Sequence, residues 1–215
     1  MNMFRKVRVL KVNPDDPENE AINIAAEILR NGGLVVFPTE TVYGLGANFA
    51  NEKAVERVYT VKKRPKDKPL TVHISSIDTL KEMVADIPPI AQKLINKFWP
   101  GPLTIILNSK DGRKVGFRMP SNRIALSLIK ESGVPVVAPS ANISGKRPPS
   151  SVEDVLEDLS DNIDMILDGG PTSLGIESTV IDATVFPCRV LREGAIGKSS
   201  LKDAWFHQEE EEERD

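Results

Sequence analysis

Short apolar runs alternate along this chain with stretches whose apolar residues recur at helical spacing, and Gly or Pro marks most of the changes between them. Strands separated by helical crossovers argue for a layered α/β domain. RKVRVLKV reads as a strand, and NEAINIAAEILRNGG then places Ala21, Ile24, Ala25, Ile28 and Leu29 on one helical face before Gly32 and Gly33 end it. LVVFP is a buried strand. Asn51 caps a helix through Val61, with Ala54, Val55 and Val58 on one face and Pro65 beyond its end. LTVHIS is the next strand, residues 77–98 are helical material interrupted by Pro88 and Pro89, and LTIIL and VGFRM are two more strands. IALSLIKESG is a helix with a glycine stop, VPVVAPS a short buried strand, and Ser151 opens a helix through Leu159. DMILD, STVIDA and CRVLRE follow as strands, and their succession makes the expected sheet mixed.

At 215 residues the chain suits one domain somewhat above the usual size, or one domain with appendages. No apolar run approaches the roughly 20 residues of a membrane span, and MNMFRKVRVL is too short in apolar residues for a signal peptide. A cytoplasmic protein with no membrane partner is expected. The single cysteine, Cys188, cannot close an internal disulfide, and with only His73 and His207 beside it a His/Cys zinc site is not expected. Its setting, FPCRVL, is that of a buried strand thiol. The net charge of −3 conceals −5 in the last seven residues, EEEEERD, which leaves +2 on the rest. Residues 201–215 are accordingly expected to be an acidic, disordered tail on a mildly basic domain of residues 1–200.

Polar, turn-forming segments fall at the strand ends, where α/β sheets bind ligands. FPTETVYGLG leaves the LVVFP strand with the hydroxyls of Thr39 and Thr41, the ring of Tyr43, and Gly44 and Gly46 for close backbone approach; it is either a well-capped turn or a site. Its spacing fits neither a Walker loop nor a GxGxxG dinucleotide loop. Residues 62–68 read KKRPKDK, a cationic knot that is either a solvated turn or an anion site. There Lys62, Arg64 and Lys68 supply the field a triphosphate requires, and Lys63 and Lys66 remain as solvated charges. His73, in a strand, is structural or a ligand donor. Arg118 lies inside the apolar strand VGFRM and needs an anionic partner, either an internal carboxylate or the carboxylate of a ligand. APSAN places Ser140 and Asn142 on one tight turn suited to phosphate or ribose, or to capping its own backbone. Glu177, Ser178 and Thr179 enter an apolar strand, and Arg192 in VLREG is a further phosphate candidate. No histidine lies near either serine in sequence, which weakens a Ser/His/Asp hydrolase reading.

Taken in order, FPTETVYGLG, KKRPKDKPLTVHI, FWPGPLTIIL, VGFRMP, APSANISG, GGPTSLGIESTVID and VLREG resemble the YrdC-like threonylcarbamoyl-AMP synthase family, from about Ala21 to Gly194. The resemblance implies a single-domain α/β fold, a twisted mixed sheet with flanking helices around a large basic concave cavity. It implies a nucleotidyltransferase that makes threonylcarbamoyl-adenylate and pyrophosphate from L-threonine, bicarbonate or CO2, and ATP. A downstream tRNA threonylcarbamoyl transferase complex would then use this product to modify the adenosine beside the anticodon.

By the same resemblance Thr41, His73, Arg118, Ala138 and Ser178 hold L-threonine, while Arg64, Lys68, Ser140, Ser150 and Arg192 hold ATP. Lys62 with Arg64 matches the family's KxR pair, and Ser140 with Asn142 its SxN pair; these four are the implied catalytic set. Many relatives place a serine about two positions earlier than Ser150, where this chain reads KRPPSS. Mg2+ is implied with ATP, held largely by the nucleotide, and no protein ligand to the metal is assigned. The chain stops about 20 residues after VLREG, as expected of the short family form without the linker and second domain. The alternative function is an RNA-binding module, for double-stranded RNA or tRNA, using the same basic cavity. A carbamoyl-phosphate-using relative from hydrogenase maturation would need zinc-finger and acylphosphatase portions.

Overall fold

Val35, Val36 and Phe37 are all closed to solvent, and they alternate between two separate cores. A strand buried on both faces has no place for a polar residue, which accounts for the unbroken apolar run LVVFP. The computed structural model describes residues 7–159 and 162–205, and within them the sheet has helices on both faces.

In chain order the elements are β1 (Arg8–Lys11), α1 (Asn19–Arg30), β2 (Val35–Pro38), β3 (Tyr43–Asn48), α2 (Glu52–Val61), β4 (Thr71–His73), α3 (Ile77–Met83), α4 (Pro89–Phe98), β5 (Leu103–Asn108), β6 (Lys114–Arg118), α5 (Arg123–Ser132), β7 (Val136–Val137), α6 (Val152–Leu159), β8 (Met165–Asp168), β9 (Thr179–Asp182), β10 (Arg189–Arg192) and α7 (Lys198–Trp205). The strands form one mixed sheet ordered β1, β8, β2, β3, β7, β4, β6, β5, β9, β10. Parallel pairs join β1 to β8, β8 to β2, β4 to β6 and β5 to β9. Helices α1 and α5 cover one face through Ala25, Leu29, Ala125 and Leu128, packed on Val35, Phe37, Val136 and Met165. The remaining helices contribute Ala54, Val58, Leu80, Leu94, Val155 and Leu201 to the other core.

Local chemistry sets the boundaries. The Asn51, Ser76 and Asn122 side chains each accept a backbone N–H three residues on, starting α2, α3 and α5. Gly133 ends α5 in the left-handed region at φ 63°. Helices α3 and α4 are separate, with the break at Pro88 and Pro89 as expected.

Two elements differ from the sequence reading. The segment YGLGAN is not a loop but strand β3, paired antiparallel to both β2 and β7. Its glycines serve close packing: a Cβ on Gly46 would lie 2.7 Å from the Phe37 ring and 3.0 Å from the Val35 carbonyl oxygen. Helix α7 was not expected, and it packs on α4 with Leu201 fully buried. Of the tail expected over 201–215, residues 206–215 lie outside the described residues. Cys188 is half-buried before β10 rather than enclosed in a strand.

The chain passes from β10 to α7 directly over the start of β9. Gly194 donates its N–H to Thr179 Oγ1 at 3.0 Å, and a Cβ there would lie 2.6 Å from the Ser178 carbonyl carbon and closer still to the Glu177 carbonyl oxygen. Backbone cannot yield as a side chain does. Gly194→Ala is expected to cost about 2 kcal/mol or more in urea unfolding; a loss under roughly 0.5 kcal/mol would show that this crossing is loosely packed.

Candidate active site

The parallel register of β4 and β6 sets His73 directly beside Arg118. Parallel partners point to the same side of a sheet, so this pairing brings a ring nitrogen and a guanidinium together on one face. Both are almost closed to solvent, at 3% and 5% exposed. Burial, and then the neighbouring Arg118 charge, push the His73 pKa down to about 3, so its imidazole is neutral at any ordinary pH. Its Nδ1 is buried and has no hydrogen-bond partner.

Around this pair the strand ends open into a cavity that communicates with solvent. One wall is the β2–β3 turn, where Thr39 Oγ1 lies 2.8 Å from Thr41 Oγ1 and donates to the Val42 carbonyl at 2.7 Å. Thr71, Thr104 and Ala138 form the floor; Gly116 lies between the two threonines, and a Cβ on it would come within 3.2 Å of Thr104. Ser178 closes the far side, its Oγ 2.9 Å from Thr104 Oγ1. Arg64, Ser140, Glu177 and Arg192 form the mouth.

The two cations at the mouth are held by neighbouring groups. Arg64 folds over its own loop, donating from Nε to the Lys68 carbonyl at 3.0 Å and from Nη2 to the Pro69 carbonyl at 2.8 Å. Arg192 grips the β9 entry, with Nε on the Ser178 carbonyl at 3.0 Å, Nη2 on Ser178 Oγ at 3.2 Å and Nη1 paired with Glu177 at 2.8 Å. Arg118 has the internal carboxylate that its burial demands: Glu40 Oε1 lies 2.8 Å from Nη2, an ion pair whose N–H does not point along the contact.

Known proteins share this sequence and fold. The family model Sua5_yciO_yrdC, described as telomere recombination, matches residues 27–194. The chain belongs to this family. It is 48% identical over 188 residues to a threonylcarbamoyl-AMP synthase of Pyrococcus abyssi, covering 83% of this chain and 55% of that one. It is 44% identical over 202 residues to the Bacillus subtilis protein of the same name, covering 89% and 58%. The chain thus spans little more than half the length of these curated relatives. Among solved structures, P. abyssi Sua5 complexed with L-threonine superposes with a TM-score of 0.88 at 44% identity, over 91% of this chain and 60% of that one. Escherichia coli YciO superposes at 0.82 with 30% identity, over 91% and 98%.

Of the residues expected from the Sua5/YciO/YrdC resemblance, the cavity brings together Thr41, Arg64, His73, Arg118, Ala138, Ser140, Ser178 and Arg192. Lys62, Lys68, Asn142 and Ser150 are not in its lining. Lys68 is exposed, as are Lys63 and Lys66, and Lys66 pairs with Glu56 at 2.9 Å. Ser150 turns away, its Oγ donating to Asp154 Oδ2 at 3.0 Å before α6. Asn142 Oδ1 accepts from Ser140 Oγ at 2.7 Å, and its amide nitrogen donates to the Lys146 carbonyl at 2.8 Å. Sequence reasoning missed Glu40, which carries no signal beyond lying between two threonines.

Lys62 stands behind the cavity wall. It is 1% exposed, and its Nζ donates to the Ser140 carbonyl at 2.5 Å, the Asn142 carbonyl at 2.7 Å and Asn142 Oδ1 at 3.2 Å. This ammonium pins the 140–142 turn to the end of α2. Burial first, then the Arg64 charge, lower its pKa from 10.5 to about 8. Between those two values the unfolded chain holds the proton that the folded one has released, so this group's contribution to stability rises with pH there and is flat below 8. Urea unfolding at pH 8 and 9.5 should therefore show wild type gaining on the order of 1 kcal/mol relative to Lys62→Met. An unchanged difference between the two proteins would mean that Lys62 keeps an ordinary pKa.

Proposed function

We propose that this chain condenses L-threonine, bicarbonate or CO2, and ATP into threonylcarbamoyl-adenylate and pyrophosphate, as an intermediate for tRNA threonylcarbamoylation. The observation that carries the reading is one cavity with two chemistries: a buried Arg118 beside neutral His73 and three hydroxyls at its base, and Arg64, Ser140 and Arg192 at its mouth. The likeness to Sua5 complexed with L-threonine supports an amino acid as one ligand.

In this reading Arg118 and Ser178 hold the threonine carboxylate, Thr41 and His73 its remaining polar groups, and the Ala138 backbone lies near its amine. His73, with a pKa of about 3, is too weak a base to take the amine proton and serves as a neutral hydrogen-bonding partner. The amine nitrogen bonds to CO2 carbon and loses a proton to solvent to give the carbamate; from bicarbonate the same product forms with loss of water. A carbamate oxygen then attacks the α-phosphorus and the bond to pyrophosphate breaks. No covalent enzyme intermediate is required, and the cations at the mouth stabilise the separating phosphates.

Lys62 and Asn142 act through the turn that presents Ser140, and Lys68 and Ser150 need a change of conformation to reach a nucleotide. Mg2+ brought by ATP would neutralise phosphate charge. The cavity lining fits an ion held mainly by phosphates and water, since it offers one carboxylate, Glu177, and no cluster of three metal-ligating side chains occurs among the described residues.

Pyrophosphate release from ATP should require both L-threonine and bicarbonate with Mg2+ present; release indifferent to threonine from folded protein would refute the reading. Arg118→Ala should raise the Kd for threonine about tenfold or more, with the Kd for ATP moving less than about twofold. Equal losses would remove Arg118 from the carboxylate role.

A further inference from the structure

Glu40 is the central residue of the β2–β3 turn, yet it does not line the cavity. It borders a neighbouring depression with Ser121, Asn122 and Thr172. Three segments meet on it. Oε1 is 2.8 Å from Arg118 Nη2, Oε2 accepts the Ser121 N–H at 3.2 Å, and its backbone carbonyl accepts the Leu174 N–H at 2.9 Å and the Ser173 hydroxyl at 3.2 Å.

The carboxylate is thus fixed by backbone from the segment after β6 while it contacts the guanidinium. Arg118 Nε donates to the Gly101 carbonyl at 3.3 Å. Nε is held by the Gly101 carbonyl and Nη2 lies in ion-pair contact with Glu40, which leaves Nη1 for a ligand in the cavity. The side chains of Glu40 and Arg118 are only 10% and 6% exposed, so neither reorients through water. The turn that carries Glu40 also carries Thr41, and the loop bound by its carbonyl leads to Ser178.

We propose that Glu40 is a positioning residue that sets the affinity of the cavity for the carboxylate of an amino acid, holding Arg118 in place through their ion pair. This rests on the amino-acid reading of the cavity. It assigns Glu40 no contact with substrate and no proton transfer. Loss of the side chain frees the guanidinium to turn towards solvent or another acceptor, and the ligand carboxylate loses its oriented donor. The nucleotide end lies on Arg64 and Arg192, neither of which touches Glu40.

The test is calorimetric titration of the 215-residue chain with L-threonine and, separately, with ATP, for wild type, Glu40→Ala, Glu40→Gln, Arg118→Ala and the Glu40→Ala/Arg118→Ala double variant, each checked for a cooperative melt. Glu40→Ala is expected to raise the threonine Kd about tenfold, with the ATP Kd moving less than about twofold. Glu40→Gln keeps the side-chain length and one acceptor oxygen, and it should recover part of the loss. In the Arg118→Ala background, Glu40→Ala should cost nothing further, because the residue it positions is gone. Unchanged or tighter threonine binding by folded Glu40→Ala, or by Glu40→Gln where the alanine variant does not fold, would overturn the proposal. So would equal losses for both ligands or additive losses in the double variant. A wild type that binds ATP but not threonine would instead overturn the amino-acid reading, and the Glu40 role with it.

Discussion

A guanidinium in the middle of a sheet is the constraint to which the rest of this site answers. Arg118 is 5% exposed on β6, and a buried cation without a partner would cost several kcal/mol, on the order of 3–5 when one member of such a pair is removed. Glu40 supplies the partner, and doing so draws the β2–β3 turn against the end of β6. The same residue ties down the loop that enters β9. The ion pair and the Glu40 backbone carbonyl together bring three strand ends that are distant in sequence into contact.

A second buried charge performs the equivalent task at the mouth. Among the described residues Lys62 has no carboxylate within ion-pair distance; its three acceptors are carbonyl and amide oxygens of the 140–142 turn. An ammonium with such partners acts as a three-pronged backbone clamp. The basic segment at residues 62–68 thus divides by depth: Lys62 is structural wall, Arg64 lines the opening, and Lys63, Lys66 and Lys68 face solvent. The sequence set Lys62, Arg64 and Lys68 apart from the solvated Lys63 and Lys66, and of the three only Arg64 lines the cavity, since the register of the α2 terminus decides which side chain turns inward.

Much of the fold was legible because its signals are local. Asn51 capping α2, Gly133 ending α5 and the two-sided apolar run of β2 each act within a few residues. Strand β3 was not, because Gly44 and Gly46 read as turn punctuation, whereas they serve to let Phe37 and Ala138 approach the backbone. Among site residues, Arg118 announced itself as a charge in an apolar strand, and its need for an anion was readable. The identity of that anion was not. Glu40 lies 78 residues earlier, in a turn whose hydroxyls drew the attention, and only the sheet order brings the two together. Ser150 was misleading for the converse reason: a hydroxyl in the right stretch of sequence is occupied by Asp154 at the start of a helix.

The central claim is that a single cavity holds an amino acid at its base and a nucleotide at its mouth. The most direct measurement is a crystal structure with L-threonine and a non-hydrolysable ATP analogue bound together. The account predicts the threonine carboxylate against Arg118 and Ser178, with Glu40 still paired with Arg118, and phosphates at Arg64, Ser140 and Arg192. Threonine bound away from Arg118, or the two ligands competing for one position, would contradict it.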